Sequence, residues 1–118
     1  MTHYLAELYS PKAAWLALSP EQRQDFFASI GAGMSNLSEF GIEPLAFGQT
    51  DPSQLHPAQQ QFFAIWKFSD KAAVTALLEA IAATGWHDYF DTINAAGAGT
   101  DLPGHLAQLA GVPFREAA

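Results

Sequence analysis

Hydrophobic positions along this chain follow a two-residue period in four places and a helical period in two, and the alternation of those periods predicts the fold. Tyr4–Tyr9 reads as a strand, with Leu5 and Tyr9 on one face and Tyr4, Ala6 and Leu8 on the other. Ser10-Pro11-Lys12 breaks it, and a short apolar connection follows through Trp15, Leu16 and Leu18. Ser19-Pro20-Glu21-Gln22 is a strong helix start: Ser19 as cap, Pro20 at the first helical position, Gln22 closing a capping box. Phe26, Phe27, Ile30, Met34 and Leu37 then form a stripe, and Gly41 is the expected stop. Pro44–Thr50 alternates as a second strand. A polar loop with two prolines, Asp51–Gln61, leads to a third strand, Phe62–Phe68. Ser69 or Asp70 caps a second helix with the stripe Val74, Leu77, Leu78 and Ile81, which ends at Thr84-Gly85. Tyr89–Ala95 makes a fourth strand. Gly97-Ala98-Gly99 is a joint, and Asp101 caps a short terminal helix through Leu102, Leu106 and Leu109.

The order β-α-β-β-α-β predicts an α+β, ferredoxin-like four-stranded sheet with strand order 4-1-3-2 and both helices on one face. Residues 1–97 form that protomer, and residues 98–118 are an extension with a short helix. The face away from the helices should then read polar, and it does not. The third strand carries Phe62, Ala64, Trp66 and Phe68 on one side and Phe63, Ile65 and Lys67 on the other. An apolar face of this kind is seldom left in water. The expected partner is therefore a second copy, packed sheet against sheet, and the competing reading folds the terminal helix back over the face.

Composition changes this picture in three ways. Charged residues make up only 14% of the 118, and the net charge is −7, with the five cations Lys12, Arg23, Lys67, Lys71 and Arg115 scattered along the chain. No basic stripe is present to neutralise phosphates or an anionic membrane, so neither nucleic acid nor membrane is an expected partner. The absence of cysteine removes disulfides, thiolate nucleophiles and Cys-held metals. No signal segment is readable at Met1-Thr2-His3-Tyr4, so the expected location is the cytoplasm.

Several motifs resemble a known group. Trp15-Leu16-Ala17-Leu18-Ser19 with Glu21 and Arg23, then Phe63-Ala64-Ile65-Trp66, then Gly85-Trp86-His87-Asp88-Tyr89-Phe90 leading to Asn94, resemble an uncharacterised bacterial family in the dimeric α/β-barrel superfamily. That superfamily includes antibiotic-biosynthesis monooxygenase-like, muconolactone-isomerase-like and stress-responsive barrel proteins. The resemblance covers most of residues 4–97. It implies a two-sheet dimer with a pocket between the sheet and its helices or inside the barrel, and no set activity. Some superfamily members bind haem through one His, but no haem motif is readable here, and no cofactor is expected.

Candidate chemistry concentrates at a few positions. His87 beside Asp88 and Asp91 offers a general acid or base, or else hydrogen-bonds a turn while Trp86, Tyr89 and Phe90 pack. Glu7 sits mid-strand among apolar neighbours and needs a partner if buried. Lys67 on the adjacent strand is the expected one, as an ion pair inside the barrel; Glu7 is then either a base with a raised pKa in an apolar pocket or a strand-face charge at the dimer rim. Asn94 could orient a ligand carbonyl or satisfy a sheet edge. Trp66 could wall an apolar ligand or serve as core. Gly31 and Gly33 inside a helix each cost up to about 1 kcal/mol, for close packing on the sheet or for space above a pocket. His3, His56, His87 and His105 show no HxH or HExxH spacing, so no metal site is expected. Two functions stay open: a cofactor-free enzyme, with His87, Asp91 and Glu7 moving protons on an apolar or aromatic metabolite, and a non-catalytic dimeric binding module. An open cavity lined by Glu7 or His87 favours the first.

Overall fold

The computed structural model describes residues 1–34 and 36–116. Four strands, β1 (His3–Pro11), β2 (Ile42–Gln49), β3 (Phe62–Phe68) and β4 (Phe90–Ala98), form one antiparallel sheet in the order β2-β3-β1-β4. This is the expected 4-1-3-2 arrangement, and the fold is ferredoxin-like. The helices are α1 (Ala13–Leu16), α2 (Pro20–Gly33), α3 (Lys71–Ala83), α4 (Trp86–Tyr89) and α5 (Leu102–Ala110), with a 3-10 turn at Leu37–Phe40.

Local chemistry explains the boundaries. Ser19 and Gln22 form the reciprocal capping box: Gln22 N–H donates to Ser19 Oγ, and Ser19 N–H donates to Gln22 Oε1. Asp70 and Asp101 accept from the backbone of Ala73 and Gly104 and start α3 and α5. Several spans differ from the sequence expectation: β1 runs on through Ser10 and Pro11, β4 runs on through Gly97 and Ala98, and two helical turns are added. The connection around Trp15 is a helical turn, α1, and Tyr89 belongs to α4 rather than to the last strand. Gly85 explains the second. Its φ of +85° admits a left-handed kink that starts a new turn before β4.

The core lies between the sheet and α3. Leu5, Ile42, Ala64, Trp66 and Phe68 meet Ala73, Val74, Leu77 and Ile81. These are the strand positions of one parity and the helix positions of one stripe, so a single apolar layer is buried. Each large side chain there contributes roughly 1.5–3 kcal/mol.

Helix α2 behaves otherwise. It buries no residue. Its expected stripe is thin, one or two apolar residues per turn among Ala, Gly, Ser and Gln, and Leu37 falls in the 3-10 turn beyond it. The chain touches the body at two places instead: Phe26 and Phe27 pack on Trp15, and Met34 and Leu37 pack against the core. Helix α5 also buries nothing. The radius of gyration is 17.1 Å, against about 13.5 Å for a compact domain of this length. Elements without a packing partner in the protomer account for that excess.

Gly31 faces open space: apart from its own stretch of helix, no described atom lies within 4 Å of the place a Cβ would take, so it is not packed on the sheet. Gly31→Ala is therefore expected to stabilise the protein by about 0.5–1 kcal/mol, read as a higher urea midpoint with an unchanged slope. A lower midpoint would mean that α2 closes onto something in solution.

Candidate functional site

The β1 alternation places Leu5, Glu7 and Tyr9 toward the helices. Glu7 lies opposite Ala64 on β3 and Asn94 on β4. Ala64 is small, so the longer Trp66, two residues on, reaches across. Its indole Nε1–H donates to Glu7 Oε1 at 2.7 Å. Glu7 is 4% exposed and is the one buried charged residue among the described residues. It shares a recess of about 160 Å³ with Tyr9, Met34, Phe47, Ala64, Trp66, Ile81 and Trp86.

Burial pushes the Glu7 carboxyl above its ordinary value of 4.5, and the Trp66 hydrogen bond pulls it part of the way back. A carboxyl held this way carries a proton into a range where an ordinary glutamate has lost it. Tyr9 is also raised, first by burial and then by the negative charge of Glu7. Phe47 stands edge-on to Trp66 with centroids 5.3 Å apart, which fixes the indole that holds Glu7.

A second hollow of about 400 Å³ shares Tyr9 and Trp86 with the Glu7 recess. Its walls are Tyr9, Trp15, Phe27, Phe62, Trp86 and Phe90, with Arg23 and Gln61 among its polar members. The rings brace one another. Trp86 stacks on Phe90 at 4.1 Å, and Tyr9 meets Trp86 edge-on at 5.1 Å. The indole of Trp86 also donates to Thr92 Oγ1 at 3.1 Å. The Gly85 kink and α4 thus set one wall, α1 and α2 set another, and the sheet is the floor.

The residues singled out from sequence are distributed over both faces. Glu7 and Trp66 come together. Lys67 does not join them. It pairs with Tyr4, one position out of step with Glu7, so its side chain leaves on the opposite face beside Glu43. The expected Glu7–Lys67 ion pair is therefore replaced by the Glu7–Trp66 hydrogen bond. Asp91 lies opposite Ser10 on that same open face and is exposed. His87 is exposed in α4, where its carbonyl accepts from Lys12 Nζ at 3.1 Å. Asn94 lies across from Glu7 on the helix side and is exposed. Gly31 lines neither hollow, and none of the four histidines does. Among the described residues no group of three or more His, Asp or Glu could hold a metal ion.

Sequence reasoning missed Tyr9, Phe47, Trp86 and Arg23 as site residues. Tyr9 carried a readable signal, two positions beyond Glu7 on the same strand face. Arg23 carried none, because its place depends on how α2 meets α1.

No curated protein matches the sequence. Among solved structures, the chain is similar to a candidate chlorite dismutase, TA0507 (18% identity, TM-score 0.65), covering 92% of this chain and 48% of that one. This chain thus spans about half the length of that relative. It is also similar to a dabb family protein with a ferredoxin-like fold from Mesorhizobium loti (17% identity, TM-score 0.52; 85% and 98% covered). A third is a dimeric protein of unknown function and ferredoxin-like fold from Bacteroides fragilis (9% identity, TM-score 0.51; 83% and 96% covered). At these identities the likeness shows the fold. The model of a family of unknown function, DUF6616, matches residues 2–112, and the chain belongs to that family.

Proposed function

We propose that this protein binds a small apolar or aromatic metabolite between the sheet and α2, and that Glu7 moves a proton on it without a cofactor. The observation that carries this reading is the buried Glu7 carboxyl, raised by desolvation, held by one indole donor in an aromatic recess that opens beside a larger hollow. Small-molecule sites take this form: an apolar wall with few, fixed polar groups. Trp66 keeps one carboxyl oxygen in place, which leaves the other for a ligand. Proton transfer of this kind serves isomerisation, cyclisation or oxygenation of an already activated substrate. Asn94, on the same face across β1, is a second polar group within the site's reach.

The test uses a neutral aryl probe, 2-naphthamide, and the indole N–H signals of the three tryptophans in an NMR titration. The signals of Trp66 and Trp86 should move and that of Trp15 follow. Affinity should fall as pH rises from the ordinary glutamate range through the raised Glu7 value, because charging Glu7 makes the wall less apolar. The same sign holds for stability. A raised carboxyl favours the fold fully below its unfolded value, and that contribution is lost as pH rises through the folded one. Glu7→Gln keeps an acceptor for Trp66 and removes the charge, so both slopes should flatten. Binding that leaves Trp66 and Trp86 unmoved, or slopes that persist in Glu7→Gln, would refute the assignment.

We infer further that the working unit is a homodimer closed sheet face to sheet face. The open face carries Tyr4, Ala6, Leu8, Phe63, Ile65 and Ile93, and Ile93 is 54% exposed. The α5 stripe Leu102, Leu106 and Leu109 is more than half exposed as well. The two surfaces adjoin: the Tyr4 ring fills the space beside Gly99, just before α5. The Bacteroides fragilis relative is described as dimeric, in keeping with this reading. A purely structural dimer, with no proton transfer, is the second reading, and these apolar surfaces favour it as much as they favour an enzyme.

A further inference from the structure

Arg23 is placed oddly for a surface cation. Its Nε donates to the Trp15 carbonyl and its terminal nitrogen to the Leu16 carbonyl, each at 3.3 Å. Its guanidinium carbon lies 5.5 Å from the centre of the Trp15 ring. These partners are the carbonyl end of α1 and an aromatic face, neutral groups that orient the side chain without cancelling its charge. They use two of five N–H donors, so the fork keeps capacity for another acceptor. The side chain lines the hollow of about 400 Å³, whose other members are the six aromatic residues Tyr9, Trp15, Phe27, Phe62, Trp86 and Phe90 with Pro11, Leu16 and Gln61, and no acid. Four of the five cations of the chain lie outside that lining, in a protein of net charge −7.

We propose that the ligand of this hollow is an aryl carboxylate, its ring lying among Tyr9, Phe62, Trp86 and Phe90 and its carboxylate held by Arg23. The inference rests on the binding reading above and names its ligand class. A pre-oriented guanidinium suits a planar carboxylate better than a lysine would, because two parallel N–H groups meet two oxygens. The flat aromatic walls suit a planar ring. The overall negative charge of the protein repels an anion, so one fixed cation inside an acid-free hollow decides which end of the ligand enters where.

The comparison of 2-naphthoate with 2-naphthamide tests this, since the two differ in charge at one position. Wild-type protein should bind 2-naphthoate at least about tenfold more tightly, the range of one charge-assisted hydrogen-bond pair. Arg23→Gln should erase that preference, read as the ratio of the two affinities within the variant whatever their absolute values, and Arg23→Lys should retain part of it. The preference should also shrink in salt. Equal affinity of wild-type protein for the two probes overturns the aryl-carboxylate inference and leaves the binding site standing. A preference that survives in Arg23→Gln overturns it too. Failure of both probes to bind removes this inference together with the reading on which it rests. Because the first comparison needs no variant, it holds even if loss of the α1 contact weakens folding.

Discussion

Trp15→Ala is expected to cost about 3–5 kcal/mol and to release α2 from the body. Trp15 is buried in a four-residue turn, and its ring contacts Phe26, Phe27, Tyr89 and Phe90 at centroid distances of 5.7, 5.1, 5.6 and 4.8 Å. Helix α2 buries nothing of its own. Its N-terminal half is held through those rings and through Arg23 on the Trp15 and Leu16 carbonyls. Truncation removes the ring and leaves a cavity that a short turn between Pro11 and Ser19 cannot refill. With a typical domain stability of about 5–15 kcal/mol, such a loss lowers the melting temperature by on the order of 10–20 °C. Amide exchange distinguishes local from global failure. In Trp15→Ala the α2 amides should exchange faster than those of β1 and β3, because the core of Leu5, Trp66, Phe68 and Leu77 does not include Trp15. A loss below about 1 kcal/mol would mean that α2 is held by other contacts, and the hollow would lose the wall assigned to it.

Ile65→Asp is expected to give monomers. Ile65 lies opposite Ala6 and Ala46 on the face away from α3, in the middle of the sheet. In a lone protomer the position is only half-buried, so the aspartate can reach water and the fold survives. In the sheet-to-sheet dimer it would be an unpaired charge in an apolar layer. A penalty on the order of 4 kcal/mol raises the dissociation constant about a thousandfold. Sedimentation velocity reads the change directly, and circular dichroism should stay as in the parent. An unaltered sedimentation profile, or a parent that is already monomeric, would sink the dimer and leave the open face without its proposed cover.

Much of the fold was legible because it depends on local chemistry. The capping box at Ser19–Gln22, the cap at Asp70, the span Phe62–Phe68 and the strand order all follow from short-range patterns and the chain's two strand–helix–strand units. The site was legible only in part. Glu7 drew attention as a carboxylate among apolar neighbours, and the structure buries it. Its partner could not be read, because Lys67 and Trp66 are one residue apart and strand pairing alone decides which of them shares its face. The register sets Glu7 against Ala64, which brings in the Trp66 indole and turns Lys67 away.

The sequence by itself determined the four strands, the helices that start at Ser19, Asp70 and Asp101, their order, and that both sides of the central strands are apolar. Those properties reside in residue type and period, and they survive any small change of register. The tertiary structure alone decided that α2 stands off the sheet, that α1 and α2 bring Arg23 beside the rings of the hollow, that Asp91 lies on the face opposite to Glu7, and that His87 is exposed in α4 outside both hollows. Each of these depends on which face meets which across long sequence separations, where a shift of one residue inverts the result.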